Sequence, residues 1–373
     1  MPPPLSLSGC DSATPQPDRI TFPLIFALKS STRTSILIPP SPRNRVSLSI
    51  SYQDANSDLP TKMPAPGTPL KLLCLHGYTQ SGPLFHAKTR AVIKHLTKAL
   101  SPTYTVTTTY PTGPHRLLPS DIPGYEPPTT QGGISTQDAA AAAAAQDNDD
   151  PEAYGWFRRS NTAHPPLYAG LEEGLTTLAQ VIRDEGPFDA VIGFSQGAAM
   201  AAMVAALLEM GRVKEVCPQY EDAEVACRGT EFSGVPGFKV PEAFRAQTLE
   251  LGGNQGPLKF AVCYSGFRAP GPRYRAFYEP GIKTPVLHVL GSLDAVVDEG
   301  RSRALIEACA GEPEAEGRVV FHPGGHFVPS QRPYLDAVVR FIKEVLAEAE
   351  EAEGGSKKKG VMDEDVNDME LPF

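Results

Sequence analysis

Three residues in this 373-residue chain are of types, and in settings, that could do chemistry together. Ser195 sits in Gly193–Phe194–Ser195–Gln196–Gly197, Asp294 closes Gly291–Ser292–Leu293–Asp294, and His326 follows Pro323–Gly324–Gly325. A serine hydroxyl is a poor nucleophile near neutral pH. It needs a general base, and the base needs an acid to orient it. Serine, then aspartate, then histidine is one of the chain orders in which such a trio occurs. Each of the three follows an apolar run that reads as a strand, so a parallel sheet would bring them to one edge. Two competitors are close by. Asp298 is placed where an acid at a helix N-terminus is favourable without any catalytic role. His322 stands at the strand end itself, whereas Gly324 and Gly325 give His326 the backbone freedom to present its ring. Asp294 and His326 are therefore preferred. The i, i+4 spacing of His322 and His326 resembles a helical metal pair, but Pro323–Gly324–Gly325 between them excludes a helix, and no metal is expected.

The elements that must position Ser195 are legible on both sides of it. Phe188–Phe194 is a short apolar run with the β-branched pair Val191–Ile192, a buried parallel strand. Ala198–Leu208 is rich in Ala, Met and Leu, a buried helix. Between strand and helix a G-x-S-x-G turn is sharp and strained, and its glycines let the two backbones approach closely. The N–H of Gln196, at the helix start, would face negative charge developing on a reacting carbonyl oxygen. A second such donor is expected after an earlier strand. Lys71–Leu75 runs into His76–Gly77–Tyr78, and the Tyr78 N–H is the candidate. His76 itself reads as a structural histidine bracing that loop.

Along the rest of the chain, Ala87–Leu100 has apolar residues at helical spacing and ends at Ser101–Pro102. Tyr104–Tyr110 alternates threonine with apolar residues as a strand does. Residues 111–165 form a long Pro-, Gly- and Thr-rich insertion with an alanine run, Ala139–Ala145. It also carries Trp156, the only tryptophan, which either lines a pocket or anchors the insertion. Leu167–Glu185 is an amphipathic helix. Residues 211–257 are polar and broken by Gly and Pro, and read as a second excursion over the active edge. Phe260–Ser265, Pro285–Leu290 and Arg318–Phe321 are strands. Ser265 lacks a following helix and reads as structural, with Phe267 a pocket wall. Ser302–Cys309 and Tyr334–Ala349 are helices. Strands separated by helices throughout indicate an α/β fold, a doubly wound, mainly parallel sheet with helices on both faces.

The ends differ from this body. Residues 1–62 are Pro- and Ser-rich, with five basic and no acidic residues between Arg19 and Gln53. They are expected to be a disordered leader or a non-native extension; organelle targeting is disfavoured by Asp11 and Asp18. A single domain spans 63–349. From Glu344 to Phe373 there are ten acidic residues and three lysines, so this end carries −7 of the formal −9. Residues 350–373 read as an acidic disordered tail. The nearly neutral body gives no reason to expect a nucleic-acid partner. No apolar run approaches the roughly 18–20 residues of a membrane span. The six cysteines include no C-x-x-C pair, which suits a reduced chain.

Five stretches in order, Leu75–Gly82, Tyr110–His115, Gly193–Ala198, Val289–Asp294 and Pro323–Pro329, are together similar to the FSH family of serine hydrolases. The resemblance covers about 70–349. It implies a compact α/β-hydrolase fold with Ser195, Asp294 and His326 as the triad and no cofactor. It implies an intracellular protein, cytoplasmic with a nucleus possible, that hydrolyses carboxyl esters or thioesters of short- to medium-chain acyl groups. In some fungal members it extends to release of polyketide products from a carrier protein. The leader, the alanine-bearing insertion and the 211–257 stretch depart from the family pattern and leave the substrate open. Two other readings stay in play. One is an acyltransferase, with an alcohol or amine in place of water. The other is a non-catalytic binding protein on the same scaffold, which the presence of all three candidate residues argues against.

Overall fold

The computed structural model describes residues 67–118, 153–160, 162–225 and 234–364, with side chains as far as Glu351. By its contacts the chain divides into Met1–Thr61 and Lys62–Phe373, and all described residues belong to the second unit. The leader, the alanine run and the end of the chain beyond Glu364 lie outside the described residues.

In chain order the elements begin with β1 (Thr68–Leu75), α1 (Gly82–Leu100) and β2 (Tyr104–Thr109). Four two-residue strands follow: β3 (His115–Arg116), β4 (Tyr154–Gly155), β5 (Arg158–Arg159) and β6 (Tyr168–Ala169). Then come α2 (Leu171–Glu185), β7 (Ala190–Phe194) and α3 (Gln196–Leu207). The next stretch holds α4 (Pro218–Glu221), β8 (Glu224–Val225), β9 (Val235–Pro236) and α5 (Glu242–Arg245). The chain closes with β10 (Phe260–Tyr264), β11 (Val286–Gly291), α6 (Glu299–Ile306), β12 (Val319–His322) and α7 (Arg332–Glu364).

Six of these strands form one sheet in the order β12-β11-β10-β7-β1-β2, every pair parallel. Parallel strands need crossovers, and the helices that supply them cover both faces. The two-residue side-chain period of a strand divides β1 between those faces. Leu70, Leu72 and Cys74 join the core beneath α1 and α7, with Phe85, Leu96, Phe341 and Ile342. Leu73 and Leu75 join the core on the other side, with α2, α3 and Phe277. All twelve residues of α3 are buried. A helix apolar on every side belongs in an interior, and its six alanines let it lie close against the strands.

A buried ion pair closes the far end of α3. Arg212 donates to Glu209 at 2.7 Å and to the Pro280 carbonyl at 2.6 Å. The other Glu209 oxygen accepts the backbone N–H groups of Lys283 (2.6 Å) and Thr284 (2.8 Å). The pair thus ties the exit of α3 to the entry of β11.

Two expectations are corrected. The closing helix does not stop at Ala349: α7 is helical to Glu364, beyond the point where the tail was expected to be disordered. The Glu and Lys residues frequent at this end are good helix formers, so the sequence permits the helix to continue. The described part of the 211–257 stretch does not cover the active edge. It joins the C-terminus of α3 to the start of β10, a connection made at the opposite, amino edge of a parallel sheet. From there it packs on the helical layer, where Phe238, Val240 and Phe244 are buried in the α2–α3 core. None of its described residues lines the cavities beside Ser195.

Candidate active site

Ser195 stands between β7 and α3 with φ +53 and ψ −116, a left-handed backbone that a residue with a side chain rarely adopts. Packing holds it there. A Cβ on Gly193 would come under 3.0 Å from the Gly197 carbonyl, and one on Gly197 under 3.0 Å from the Leu75 carbonyl. The two glycines are the places where α3 crosses β7 and β1. The Ser195 N–H donates to the Tyr264 carbonyl on β10 at 2.8 Å, which fixes the turn from the neighbouring strand.

Asp294 and His326 reach the serine through a second close approach. A Cβ on Gly291 would fall under 3.0 Å from the carbonyls of Gly324 and Gly325. The Ser292 N–H donates to His322 and the Leu293 N–H to Gly324, so the loops after β11 and β12 are laced together. On that scaffold His326 Nε2 is 2.9 Å from Ser195 Oγ, and His326 Nδ1 is 2.7 Å from Asp294 Oδ2. The other Asp294 oxygen accepts the N–H groups of Val296 and Val297, both at 2.9 Å. Desolvation pushes the Asp294 carboxyl up. The hydrogen bonds from His326, Val297 and Val296 outweigh it and hold the group below the usual carboxylate range. The buried Ser265 hydroxyl also acts in this direction, although it makes no hydrogen bond of standard geometry. Asp294 is thus an anion with both oxygens committed, and an imidazole facing it is held with Nδ1–H toward the acid and Nε2 toward the serine.

The competing residues have other work. Asp298 caps α6, accepting the Arg301 N–H at 3.1 Å. His322 Nδ1 accepts from the Gly324 N–H at 3.2 Å.

The Tyr78 loop is braced by His76. Its Nε2 accepts the Gly113 N–H and its Nδ1 lies on the Gly77 carbonyl, both at 2.8 Å. These partners require the neutral ring with the proton on Nδ1. Burial pulls the pKa of His76 down to about 4, partly opposed by the bond to Gly77, so that form persists at neutral pH. Gln196 opens α3, where backbone N–H groups lack intrahelical acceptors. Its side chain is bound as well: Oε1 accepts the Trp156 N–H at 2.7 Å and Nε2 donates to the Phe157 carbonyl at 2.8 Å. Trp156 is fully buried, its indole donating to the His76 carbonyl at 2.9 Å. Of the two roles open to it, it takes the anchor and lines neither cavity at Ser195, because its backbone N–H is bound to Gln196 and its indole N–H to His76.

Two cavities meet at Ser195 and Tyr78. One, of about 520 Å³, is lined by His326, Phe327, Val328, Thr79, Gln80 and Lys88 among others. The second, of about 310 Å³, has an aromatic floor of Phe157, Tyr168 and Phe267, with Val296, Arg159 and Arg301 around it. Phe157 and Tyr168 stack at 4.1 Å between centroids, and the Arg301 guanidinium lies 4.2 Å from the centre of the Phe267 ring.

Comparison with known proteins agrees with this architecture. The family described as serine hydrolase (FSH1) matches residues 63–338. The chain belongs to that family. Family of serine hydrolases 3 of Saccharomyces cerevisiae is 30% identical over 278 residues, which cover 74% of this chain and 85% of the yeast protein. Esterase OVCA2 of Danio rerio is 30% identical over 282 residues, 74% of this chain and 97% of the fish protein. A Schizosaccharomyces pombe protein named dihydrofolate reductase is 31% identical over 278 residues. There 74% of this chain matches only 47% of the relative, so the chain spans about half the length of that protein.

Within this serine hydrolase, sequence reading named Phe267 at the second cavity but missed Phe157, Tyr168, Arg159, Val296 and Arg301. Phe157 was within reach, since it adjoins Trp156 in an aromatic run. Arg159 and Tyr168 were not, because only their antiparallel pairing in β5 and β6 brings them together. No described helix is long and apolar enough to cross a membrane. Among the described residues no cluster of His, Cys, Asp or Glu is arranged to hold a metal.

Proposed function

We propose that this protein hydrolyses carboxyl esters or thioesters of short- to medium-chain acyl groups, with Ser195 as nucleophile, His326 as general base and Asp294 as its orienting acid. The observation that carries the reading is the unbroken hydrogen-bonded series from Ser195 Oγ through His326 to Asp294. The esterase name of the Danio rerio relative supports ester bonds as the target. As Ser195 attacks the acyl carbon, His326 Nε2 takes its proton, and Asp294 stabilises the resulting imidazolium. The carbonyl oxygen becomes an oxyanion facing the Gln196 and Tyr78 N–H groups, where one donor is typically worth about 10²–10³ in turnover. Collapse expels the alkoxide or thiolate, which leaves with the proton from His326. Water, deprotonated by the same nitrogen, then cleaves the acyl-serine and returns the hydroxyl to Ser195.

Fluorophosphonate labelling tests the assignment. Wild type should be labelled, whereas folded Ser195→Ala and His326→Ala should not. Ester turnover that persists in Ser195→Ala would remove the serine from the mechanism.

A further inference from the structure

The two cavities at Ser195 differ in chemistry, and the position of His326 orders them. The leaving group must lie where His326 Nε2 can give it a proton, and His326 lines the larger cavity and not the smaller. The acyl chain therefore runs over Gln196 into the smaller cavity. Its aromatic floor suits methylene groups, but its margin is cationic.

Arg159 and Tyr168 face each other directly in the β5–β6 ladder, so their side chains leave the same side of the ribbon. Arg301, from the first turn of α6, reaches the same cavity. Neither Arg159 nor Arg301 takes part in an ion pair among the described residues. Asp298, the N-cap of α6, is occupied in capping the helix, and Glu299 in its first turn pairs with Arg303. Tyr168 is 4% exposed, and its buried hydroxyl makes no hydrogen bond of standard geometry, although the Arg301 side chain acts on it as a nearby donor. A buried hydroxyl without a well-formed partner is costly, and with two guanidinium groups beside it the site holds more donors than acceptors. Burial raises the Tyr168 pKa well above its ordinary value, opposed in part by the charge of Arg301, so at neutral pH the hydroxyl is a donor.

We infer that Arg159, Tyr168 and Arg301 form an anion-reading subsite at the end of the acyl cavity, selecting acyl chains that end in a carboxylate: hemiesters or hemithioesters of short dicarboxylic acids. This specificity rests on the assignment of Ser195 as nucleophile. The reaction is unchanged, since the distal carboxylate is bound and not transformed. Arginine pairs with carboxylates through two parallel hydrogen bonds, which gives the site direction as well as charge.

The test compares two 4-nitrobenzyl esters of equal chain length, the hemiglutarate and the valerate, by release of the same alcohol. Wild type should favour the hemiglutarate in kcat/KM by about tenfold or more, the scale of one charge-assisted bond. That ratio should fall toward one in Arg159→Gln, which is exposed and can change without repacking, and further in Arg159→Gln/Arg301→Gln. A second arm sets valeryl-coenzyme A against valeryl-N-acetylcysteamine, in which the anion is on the leaving group. Equal rates for the two benzyl esters would overturn the subsite. So would a preference that survives both substitutions, or one that follows the leaving group's charge through Arg159 and Arg301. Fluorophosphonate labelling is run alongside. Labelled Ser195 with no carboxylate preference defeats the subsite alone, whereas absence of both labelling and turnover defeats the nucleophile assignment.

Discussion

Lowering the pH from 7 to 4.5 should weaken this fold by way of His76, and the amount can be worked from its surroundings. In the unfolded chain an imidazole takes up a proton as the pH falls through about 6.5. In the folded chain burial holds His76 down at about 4. Between those values the unfolded state binds a proton that the native state refuses. The stability that is fully present above pH 6.5 is therefore lost as the pH falls, and the loss levels off below pH 4. By linkage the His76 share at pH 4.5, relative to pH 7, is about 2–3 kcal/mol. Carboxylates such as Asp294, held low by their partners, lose stability in the same direction, so wild type alone would not isolate the histidine. The His76→Asn variant does. It keeps a donor and an acceptor but does not titrate, and its deficit relative to wild type should shrink by about 2–3 kcal/mol from pH 7 to pH 4.5. Urea unfolding followed by tryptophan fluorescence measures this, because Trp156 is the only tryptophan and its ring lies 5.1 Å from that of His76. A deficit that stays constant with pH would mean that His76 is not the buried neutral brace described above.

Two further outcomes follow from the same geometry. Asp294→Asn should leave the fold intact and lower kcat by about 10⁴-fold, as loss of the orienting anion does in serine proteases, measured with any chromogenic ester that wild type turns over. Glu209→Ala strands the Arg212 guanidinium in the interior and removes the acceptor for Lys283 and Thr284, and should cost about 3–5 kcal/mol in urea unfolding. The Glu209→Leu/Arg212→Met double variant should recover much of that loss, and failure to recover it would point to the backbone hydrogen bonds instead.

What could be read from the sequence was whatever is encoded locally. The apolar runs around Leu73, Val191, Val262 and Leu287 announced buried strands because each is bounded by turn residues, and the alanine-rich run after Ser195 could only be an interior helix. Gly193 and Gly197 are legible for a related reason, whereas the same role of Gly291 shows only in the structure. A glycine flanking a functional residue marks a close approach, although what approaches it, here Gly197, Leu75 and the Gly324–Gly325 loop, is a tertiary fact. The 211–257 stretch was misplaced because its composition says only that it is irregular. The edge of the sheet to which it belongs is set by the direction of α3. The arginines of the acyl cavity were invisible for a similar reason: Arg159 and Arg301 are 142 positions apart, on a two-residue strand and a helix that no periodicity connects.

Gln196 joins these levels in one residue. Its position at the start of α3 follows from the elbow, and its backbone N–H is one of the two proposed oxyanion donors. Its side chain, buried and bonded to both Trp156 and Phe157, fastens the insertion after β2 to the elbow itself. Trp156 extends the same link to the His76 carbonyl, and His76 in turn holds Gly113 and the loop that carries Tyr78. The two proposed oxyanion donors are therefore not set independently. They share a buried hydrogen-bonded frame whose members lie on four separate stretches of chain, and Phe157, the floor of the acyl cavity, hangs from it. If the two donors act as proposed, substrate selection and transition-state stabilisation share one glutamine, and a change in the insertion at 155–157 should alter turnover as well as specificity.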